Sequence, residues 1–328
     1  MANLNSLVSA INSVERSSFD ELAIAVFNYQ AKENRVFKAY LEGIGHSCQA
    51  ASISELAFMP IELFKNHTIK TGDWQEETVF ESSGTTGIQT SRHYVRSLKD
   101  YQVSTVAAFE ECYGSLEQYT ILALLPSYIE RGNSGLIAMV DHFITLSQSE
   151  DSGYYLQDVN SLLDKLLLLR ERGSKTLLWG VTFGLLDFVE KHQIDFPELI
   201  VMETGGMKGR RDEMLREEVH HLLKRAFHVQ NIHSEYGMTE LSSQAYSKGL
   251  GLFEPSRTMR ALSRDINDPF EMRSYGKTGA LNIIDLQNIY SCSFIETKDL
   301  GRVYENGTFE VMGRMDNSDI RGCNLMVL

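Results

Sequence analysis

The sequence is poor in basic residues, cysteine and proline. Its 31 lysines and arginines are outnumbered by 44 aspartates and glutamates, a formal charge of −13, so we do not expect nucleic-acid binding. Four scattered cysteines without a Cys-x-x-Cys pair argue against a disulfide framework and a zinc site, and favour reduced thiols in a cytoplasmic protein. Because only five prolines occur and 43% of the residues are hydrophobic, a fibrous or disordered chain is not expected.

Long apolar runs and a targeting pattern are also missing. The longest leucine cluster, 166–169, ends at Arg170, well short of the roughly 20 apolar residues that a membrane-spanning helix needs. Residues 1–18 have no basic start followed by an apolar stretch, so we expect neither a membrane span nor a secretion signal. The 328 residues are enough for one large domain or two medium ones.

Apolar spacing predicts an α/β protein. The first 75 residues have helical spacing and are expected to form a helical segment packed on a body of residues 76–328, as a single structural unit. In that body, apolar runs alternate with helical patterns, of which 211–227 is the most clearly amphipathic. This alternation predicts a mostly parallel sheet layered with helices. Its predicted strands are 120–125, 176–181, 199–202 and 229–233.

After Gly276 the pattern changes to short alternating strands, which predict a small antiparallel segment near the C-terminus. Asn306-Gly307 lies between the last two of them and is a strong signal for a tight hairpin turn. The predicted strands are 281–285, 291–297, 302–305 and 308–312.

Glycine and hydroxyl residues collect where ligands are expected. Gly205-Gly206 follows the third predicted strand and residues 236–240 follow the fourth, and open α/β sheets bind ligands beyond the carboxyl ends of their strands. Residues 82–87, Ser-Ser-Gly-Thr-Thr-Gly, offer hydroxyls and a backbone suited to phosphate oxygens, although Gly-Lys-Ser/Thr of a Walker loop is missing. By itself this loop is equally compatible with a solvated turn.

Four segments, in this order, resemble the signatures of the adenylate-forming superfamily of acyl-CoA synthetases, adenylation domains and luciferases. They are the loop 82–87, Tyr236-Gly237-Met238-Thr239-Glu240, residues 297–302 (Thr-Lys-Asp-Leu-Gly-Arg) and residues 313–316 (Gly-Arg-Met-Asp). Residues 204–209 and 319–323 resemble one branch more narrowly, the acyl-protein synthetase of the bacterial luminescence fatty acid reductase system. Residues 59–65 also resemble that branch and its phenylacetate–CoA ligase relatives.

The resemblance implies an ATP site. Gly205 and Gly206 would let the adenine lie on the backbone, Tyr236 would stack on it, and Asp299 would accept hydrogen bonds from the ribose, with Arg314 as a further ribose or phosphate contact. The residues implied to hold the β- and γ-phosphates are Ser82, Ser83, Gly84, Thr85, Thr86 and Gly87.

Two residues of the second signature are implied at the reacting phosphate. Thr239 would reach the α-phosphate, and Glu240 would hold Mg²⁺, a hard cation that favours a carboxylate together with phosphate oxygens. Gly237 and Met238 belong to the same nucleotide-binding signature.

Two departures concern cations. The Pro-Lys that follows the loop in most relatives is Gln89-Thr90 here, and Arg92 or His93 is a candidate replacement. The chain ends at Leu328, soon after the fourth signature, so the resemblance implies a large adenylation domain without the usual small C-terminal domain and its lysine. Lys208, Arg314 and Arg321 are candidates for the missing charge, and we favour Lys208 because it follows Gly205-Gly206.

Cys323 is the candidate acyl acceptor. In the luminescence branch a cysteine near the C-terminus is acylated, and Arg321-Gly322-Cys323 resembles its setting. The nearby arginine would favour the thiolate. The alternative is a small apolar residue in a terminal strand. Trp179 and Phe183, at the end of the second predicted strand, are candidates for the acid pocket, with core packing as the alternative. His233, at the end of the fourth, is a candidate for the acid pocket or for a contact with the carboxylate.

The sequence therefore predicts an ATP- and Mg²⁺-dependent enzyme that activates a carboxylic acid, by its branch a fatty acid, as an acyl-adenylate. The acyl group would pass to Cys323 and then to a partner reductase or carrier protein. The alternatives are an acyl-CoA ligase of the phenylacetate type and a catalytically weak nucleotide-binding subunit.

Overall fold

The computed structural model describes residues 3–82, 90–125, 133–155, 159–205 and 214–315. The chain begins with a helical segment, in which polar side chains cap the helices. The Asn3 side chain accepts a hydrogen bond from the Ser6 N–H, and the Asn34 side chain accepts from the N–H groups of Val36 and Phe37. The helices are α1 (Leu4–Asn12), α2 (Phe19–Glu33), α3 (Arg35–Gly43) and the short α4 (Leu63–Asn66).

Parallel strands and helices alternate through the middle of the chain. The strands β4 (Thr120–Leu124), β5 (Gly153–Tyr154), β6 (Thr176–Val181), β7 (Ile200–Thr204) and β8 (His233–Tyr236) lie parallel in the order β5-β4-β6-β7-β8. The helices are α5 (Leu98–Tyr113), α6 (Gly135–Ser147), α7 (Val159–Glu171), α8 (Thr182–Val189) and α9 (Arg216–Phe227).

Antiparallel strands extend the same sheet beyond β8. They are β9 (Ala245–Ser247), β10 (Leu252–Pro255), β11 (Met259–Arg264), β12 (Thr278–Asp285), β13 (Phe294–Val303) and β14 (Phe309–Arg314), in the order β8-β9-β10-β14-β13-β12-β11. A short β1 (Met59–Pro60) joins β13, and β2 (Thr78–Glu81) pairs with β3 (Arg92–Val95) as a separate hairpin. The predicted α/β fold with an antiparallel part near the C-terminus is confirmed.

Among the details of the strand prediction, two differ from the structure and one is confirmed. The antiparallel part begins at β9, well before Gly276, because β9 to β11 are short strands that the alternation did not reveal. The fourth parallel strand begins at His233, since the turn after α9 extends through residues 228–230. The Asn306-Gly307 turn is confirmed: Tyr304 N–H donates to the Thr308 carbonyl at 2.8 Å, and Gly307 has a φ of 87°.

Two hydrophobic cores share this sheet. One lies between the parallel strands and α5 to α9 and contains Phe109, Phe143 and Trp179. The other lies between the N-terminal helices and the antiparallel strands, where the ring centroids of Phe27 and Phe294 are 5.2 Å apart. The first 75 residues therefore pack on the body, while the domain boundary at residue 75 stays a prediction. In the described part of the chain, no helix is long and apolar enough to cross a membrane.

Candidate functional site

The two glycine-containing turns meet at one edge of the sheet. Strands β7 and β8 are parallel neighbours in which Thr204 pairs with Glu235, so both strands end at the same edge. Gly205, with a φ of 72°, follows β7, and residues 236–240 continue from β8. Carboxyl ends of neighbouring parallel strands form the usual ligand-binding edge of an open α/β sheet.

Three side chains from separate signatures meet beside this edge. The Tyr236 hydroxyl donates to Asp299 Oδ2 at 2.8 Å, and Arg314 Nε lies 3.4 Å from Asp299 Oδ1. Asp299 and Arg314 are register partners in the β13–β14 pair, which explains why positions distant in sequence lie together. Burial raises the pKa of Asp299, and the Arg314 guanidinium opposes that shift. The Arg314 side chain is 69% exposed, so it has room for a second partner.

The Tyr236 ring lies against the aromatic side chains of the second core. It packs edge-on against Phe309, with centroids 5.2 Å apart, and tilts against Phe253 at 5.8 Å. The residue is 8% exposed, and burial raises the pKa of its hydroxyl well above the usual value. The phenol therefore stays protonated and acts as a hydrogen-bond donor to Asp299.

Glu240 is a buried carboxylate at the end of the second signature. It is 6% exposed, and burial raises its pKa, while a hydrogen bond from Ser91 and the charges of Arg314 and Lys65 oppose the rise. Its carbonyl accepts a hydrogen bond from the Asn288 amide at 2.7 Å. The backbone of Glu240 is thus held in place, and its carboxylate is held by a serine hydroxyl.

Ser91 links Glu240 to the start of the hydroxyl-rich loop. Its N–H donates to Ser82 Oγ at 2.9 Å, and its carbonyl accepts from the Ser82 N–H at 3.0 Å. The β2–β3 hairpin therefore brings Ser82 to the same place as Glu240. Sequence reasoning missed Ser91, and its position beside the loop in the chain is the signal that could have found it.

His93 forms a hydrogen bond with the backbone of the second signature. Its Nδ1 lies 2.8 Å from the Thr239 carbonyl oxygen, and burial lowers the pKa of the imidazole to about 4. The ring is therefore neutral at pH 7, which does not fit the cation role considered for His93. Arg92, the other candidate, is exposed at the start of β3.

Of the remaining predicted site residues, the structure describes Gly237 and Met238. Gly237 is exposed, and a Cβ at this position would overlap Glu235 Oε1, so a larger residue would displace that carboxyl group. Met238 is partly buried against the second core. The predicted residues that lie outside the described part of the chain are Ser83, Gly84, Thr85, Thr86, Gly87, Gly206, Lys208, Arg321 and Cys323.

Two partly buried glutamates near this edge were also missed. Glu203 accepts hydrogen bonds from Thr182 and Ser234 at 2.9 Å each, and His220 and Arg216 help to lower its pKa. Glu235 accepts from Thr204, and burial together with the Glu203 charge raises its pKa to about 7. A glutamate inside an otherwise buried strand is the pattern that could have revealed them.

A metal at this edge would need ligands beyond the protein side chains described. Among those residues, no group of three histidine, cysteine, aspartate or glutamate side chains could hold an ion. Glu240 would supply one carboxylate. This donor set fits Mg²⁺, which binds through one or two carboxylates and takes its other ligands from water and phosphate.

Solved structures with the same fold cover most of the chain. The 2-hydroxyisobutyryl-CoA ligase in the postadenylation state, with R3-HIB-AMP, is 10% identical, with a TM-score of 0.67 over 94% of this chain and 70% of the ligase. ATP-bound MatB from Rhodopseudomonas palustris is 18% identical, with a TM-score of 0.54 over 72% of this chain. O-succinylbenzoate coenzyme A synthetase (MenE) from Bacillus subtilis, with ATP and a magnesium ion, is 17% identical, with a TM-score of 0.50 over 72% of this chain.

No protein-family model and no curated protein matches the chain. The chain spans about half the length of the MatB and MenE structures, 47% and 50% respectively. At identities of 10% to 18%, the likeness concerns the arrangement of the backbone. The chain has the fold of the adenylation domain of acyl-CoA ligases.

Proposed function

We propose that this protein uses ATP to activate a carboxylic acid as an acyl-adenylate, releases pyrophosphate, and transfers the acyl group to a thiol. The observation that carries the proposal is the meeting of Tyr236, Asp299 and Arg314 with Glu240 at the ligand-binding edge of the sheet. These residues come from three separate signatures. Solvent-exposed turns without a shared ligand would not be expected to bring residues of three signatures together.

The nucleotide would occupy the edge between β8 and the β13–β14 pair. Asp299 would accept hydrogen bonds from the ribose hydroxyls in place of the Tyr236 hydroxyl, which would leave the tyrosine ring to face the adenine. The exposed Arg314 guanidinium would contact the ribose or a phosphate. The other residues proposed for the nucleotide are Ser82, Ser83, Gly84, Thr85, Thr86, Gly87, Gly205, Gly206, Gly237, Met238 and Thr239.

Glu240 is proposed to hold Mg²⁺. When bound, the cation would neutralise negative charge on the phosphates. Its charge would also offset the burial that raises the pKa of Glu240, so that the carboxylate is ionised when the metal is present. Ser91 orients the carboxylate by its hydrogen bond and ties it to Ser82 at the start of the phosphate loop.

In the first step, an oxygen of the carboxylate attacks the α-phosphorus of ATP. The bond from that phosphorus to the oxygen bridging to the β-phosphate breaks, and pyrophosphate leaves with the electron pair. Negative charge approaches negative charge, so a cation must lie beside the reacting groups. Lys208 is our proposal for that cation, and Arg314 is the described alternative.

In the second step, the Cys323 thiolate attacks the acyl carbon, a thioester forms and AMP leaves with the electron pair. Two other cysteines do not suit this role, because burial raises the pKa of Cys112 to about 11 and that of Cys292 to about 12. Both thiols stay protonated at neutral pH, where the thiolate is the nucleophile. A partner reductase or carrier protein is the proposed final acceptor.

The test is ATP–pyrophosphate exchange with a panel of carboxylic acids, followed by retention of labelled acid on the protein. We expect acid-dependent exchange, and label that is lost in Cys323→Ser but kept in the matched control Cys112→Ser. Equal labelling of both variants would exclude Cys323. Formation of acyl-CoA when coenzyme A is added would instead favour a ligase, and ATP binding without exchange for any acid would indicate a nucleotide-binding subunit.

A further inference from the structure

A second polar cluster lies on the other face of β8 from Tyr236. Glu235 precedes Tyr236, so its side chain points to the opposite face of the sheet. Glu235 is the register partner of Tyr246 in β9 and of Thr204 in β7. Trp179 in β6 lies on the same face, with its ring centroid 6.4 Å from that of Tyr246. We call Trp179, Thr204, Glu235 and Tyr246 the Glu235 cluster.

Two hydrogen-bond donors of the Glu235 cluster have no partner. Trp179 is 0% exposed and Tyr246 1% exposed, and neither Trp179 Nε1 nor the Tyr246 hydroxyl meets an acceptor among the described residues. A buried polar group without a partner costs about 1–3 kcal/mol, and folded proteins contain few of them. Two such donors on one face of one sheet indicate an acceptor outside the described residues, and a bound ligand would supply one.

The carboxyl group of Glu235 is a hydrogen-bond acceptor in the same cluster. Thr204 donates to its Oε2, while its Oε1 occupies the space that a Cβ at Gly237 would fill. No lysine or arginine forms an ion pair with it in the described ranges. The carboxyl group therefore has an oxygen that can accept from a ligand, on the same face of the sheet as the donors that need an acceptor.

The cluster adjoins the proposed nucleotide site. Thr204 and Glu235 are the last residues before Gly205 and Tyr236, and the exposed glycines 205 and 237 lie at the same edge. An acid that reacts with ATP must reach the α-phosphate from a pocket next to it. On the far side, Phe109 in α5 and Phe143 in α6 close the cluster, with their ring centroids 6.3 Å and 5.9 Å from that of Trp179.

The chemistry of the cluster discriminates between acids. An unsubstituted fatty acid offers neither a donor nor an acceptor there, so its binding leaves the Trp179 and Tyr246 donors unpaired. A second carboxylate would be repelled by Glu235. An ammonium group donates to Glu235 but has no lone pair for the two donors. A hydroxyl group both donates and accepts, so it can donate to Glu235 and accept from one of the two unpaired donors.

We propose that the carboxylic acid activated by this protein carries a hydroxyl group, which donates to Glu235 and accepts from Tyr246 or Trp179. This inference rests on the proposed adenylation, since it names the substrate class of that reaction. It replaces the plain fatty acid that the branch resemblance implies.

Matched acid pairs that differ only in one hydroxyl group test the inference. ATP–pyrophosphate exchange is measured with 3-hydroxybutyrate against butyrate, 3-hydroxydodecanoate against dodecanoate, and 3-aminobutyrate as the ammonium counterpart. We expect kcat/KM to favour the hydroxy acid at least 10-fold in one pair. Exchange with equal efficiency in both pairs, or a preference for the amino acid, would overturn the inference and leave adenylation standing. No exchange with any acid would overturn both.

Two tyrosine variants test whether Tyr246 is responsible for the preference for hydroxy acids. Tyr246→Phe removes an oxygen that has no partner, so we expect the hydroxy-acid preference to fall several-fold with no loss of thermal stability. The matched control is Tyr119→Phe, whose hydroxyl donates to the Tyr113 carbonyl at 2.8 Å outside the Glu235 cluster. The control should lose stability and keep the preference. An unchanged preference in Tyr246→Phe together with Trp179→Phe would contradict the assignment.

Discussion

At the scale of single residues, burial decides what the titratable groups can do. The same loss of water raises the pKa of Glu240 and of Glu235 and lowers that of His93, because it disfavours the charged form of each. The Glu240 carboxylate accepts a hydrogen bond from Ser91, and the charges of Arg314 and Lys65 favour its ionised form. A bound cation would favour that form further.

Glu240→Gln separates the two roles of this carboxylate. We expect pyrophosphate exchange to fall at least 100-fold, because the amide cannot replace a charged metal ligand. Stability at pH 8 should stay equal or rise, since an acid whose folded pKa is raised destabilises the fold as pH increases above its unfolded pKa. Exchange activity and thermal unfolding at pH 8 measure both effects. The exposed Glu217→Gln is the matched control, and full exchange activity in Glu240→Gln would disprove the metal placement.

His93 predicts the acid limit of the fold. Its folded pKa of about 4 lies below the ordinary histidine value, so the stability that neutral His93 contributes is complete above about pH 6.5 and is lost as pH falls towards 4. We expect this loss to be on the order of 3 kcal/mol. Denaturant unfolding between pH 4 and 7 should show a shallower decline in His93→Gln. The exposed His67→Gln should follow the native profile, and an unchanged slope in His93→Gln would refute the assignment.

At the scale of elements, Asn34 joins two helices to the sheet. Asn34 follows the last residue of α2 and caps α3. The residue is fully buried, and its Nδ2 donates a hydrogen bond to the Ser291 carbonyl at 2.8 Å. Gln30, one turn earlier, donates to the carbonyls of Asn288 and Ile289. The helical segment is thus attached by buried amides to the turn before β13, as well as by its apolar face.

Asn34→Ala should therefore cost more than an ordinary helix cap. A lost cap costs about 0.5–2 kcal/mol, and the lost hydrogen bond to the Ser291 carbonyl, which keeps the Thr71 hydroxyl as a donor, adds about 0.5–1.5 kcal/mol. We expect a total destabilisation of about 1.5–3 kcal/mol in denaturant unfolding. Asn3→Ala, at the exposed cap of α1, is the control and should stay within about 1 kcal/mol. Similar losses in both variants would show that the Ser291 contact does not contribute.

At the scale of the molecule, one continuous sheet joins two cores. Phe294 is fully buried in the second core, stacked on Phe37 and edge-on to Phe27, whereas Trp179 lies in the first core. Because β9 and β10 connect the parallel strands to the antiparallel ones, disruption of one core removes the support of the other.

The shared sheet predicts a single unfolding transition. Phe294→Ala should cost about 3–5 kcal/mol and shift the whole transition. The two tryptophans allow fluorescence to follow the two cores separately. The variant Trp74→Phe leaves only Trp179, in the first core. The variant Trp179→Phe leaves only Trp74, whose ring centroid lies 6.2 Å from that of Tyr290 near the second core. We expect coincident midpoints by both fluorescence probes. Two separate transitions, of which only the Trp74 signal moves in Phe294→Ala, would show instead that the two cores unfold independently.

Much of this architecture could be predicted from the sequence. Apolar runs such as 120–125 and 176–181 are long enough to show buried parallel strands, and Asn306-Gly307 marks its hairpin by local turn chemistry. Short strands such as β9 carry too few residues for a period to emerge. Strand ends also shifted where a turn, as before His233, uses residues as apolar as the strand itself.

The sequence by itself determined the alternation of strands and helices, the order of the four signatures and which residue types they contain. Only the tertiary structure decided that Tyr236 reaches Asp299, that Ser91 joins Ser82 to Glu240, and that Glu235 faces Tyr246 beside unpaired donors. The physical reason is that local spacing follows from backbone geometry along one segment. A side chain's burial and its partners depend instead on strand register between segments that are far apart in the chain.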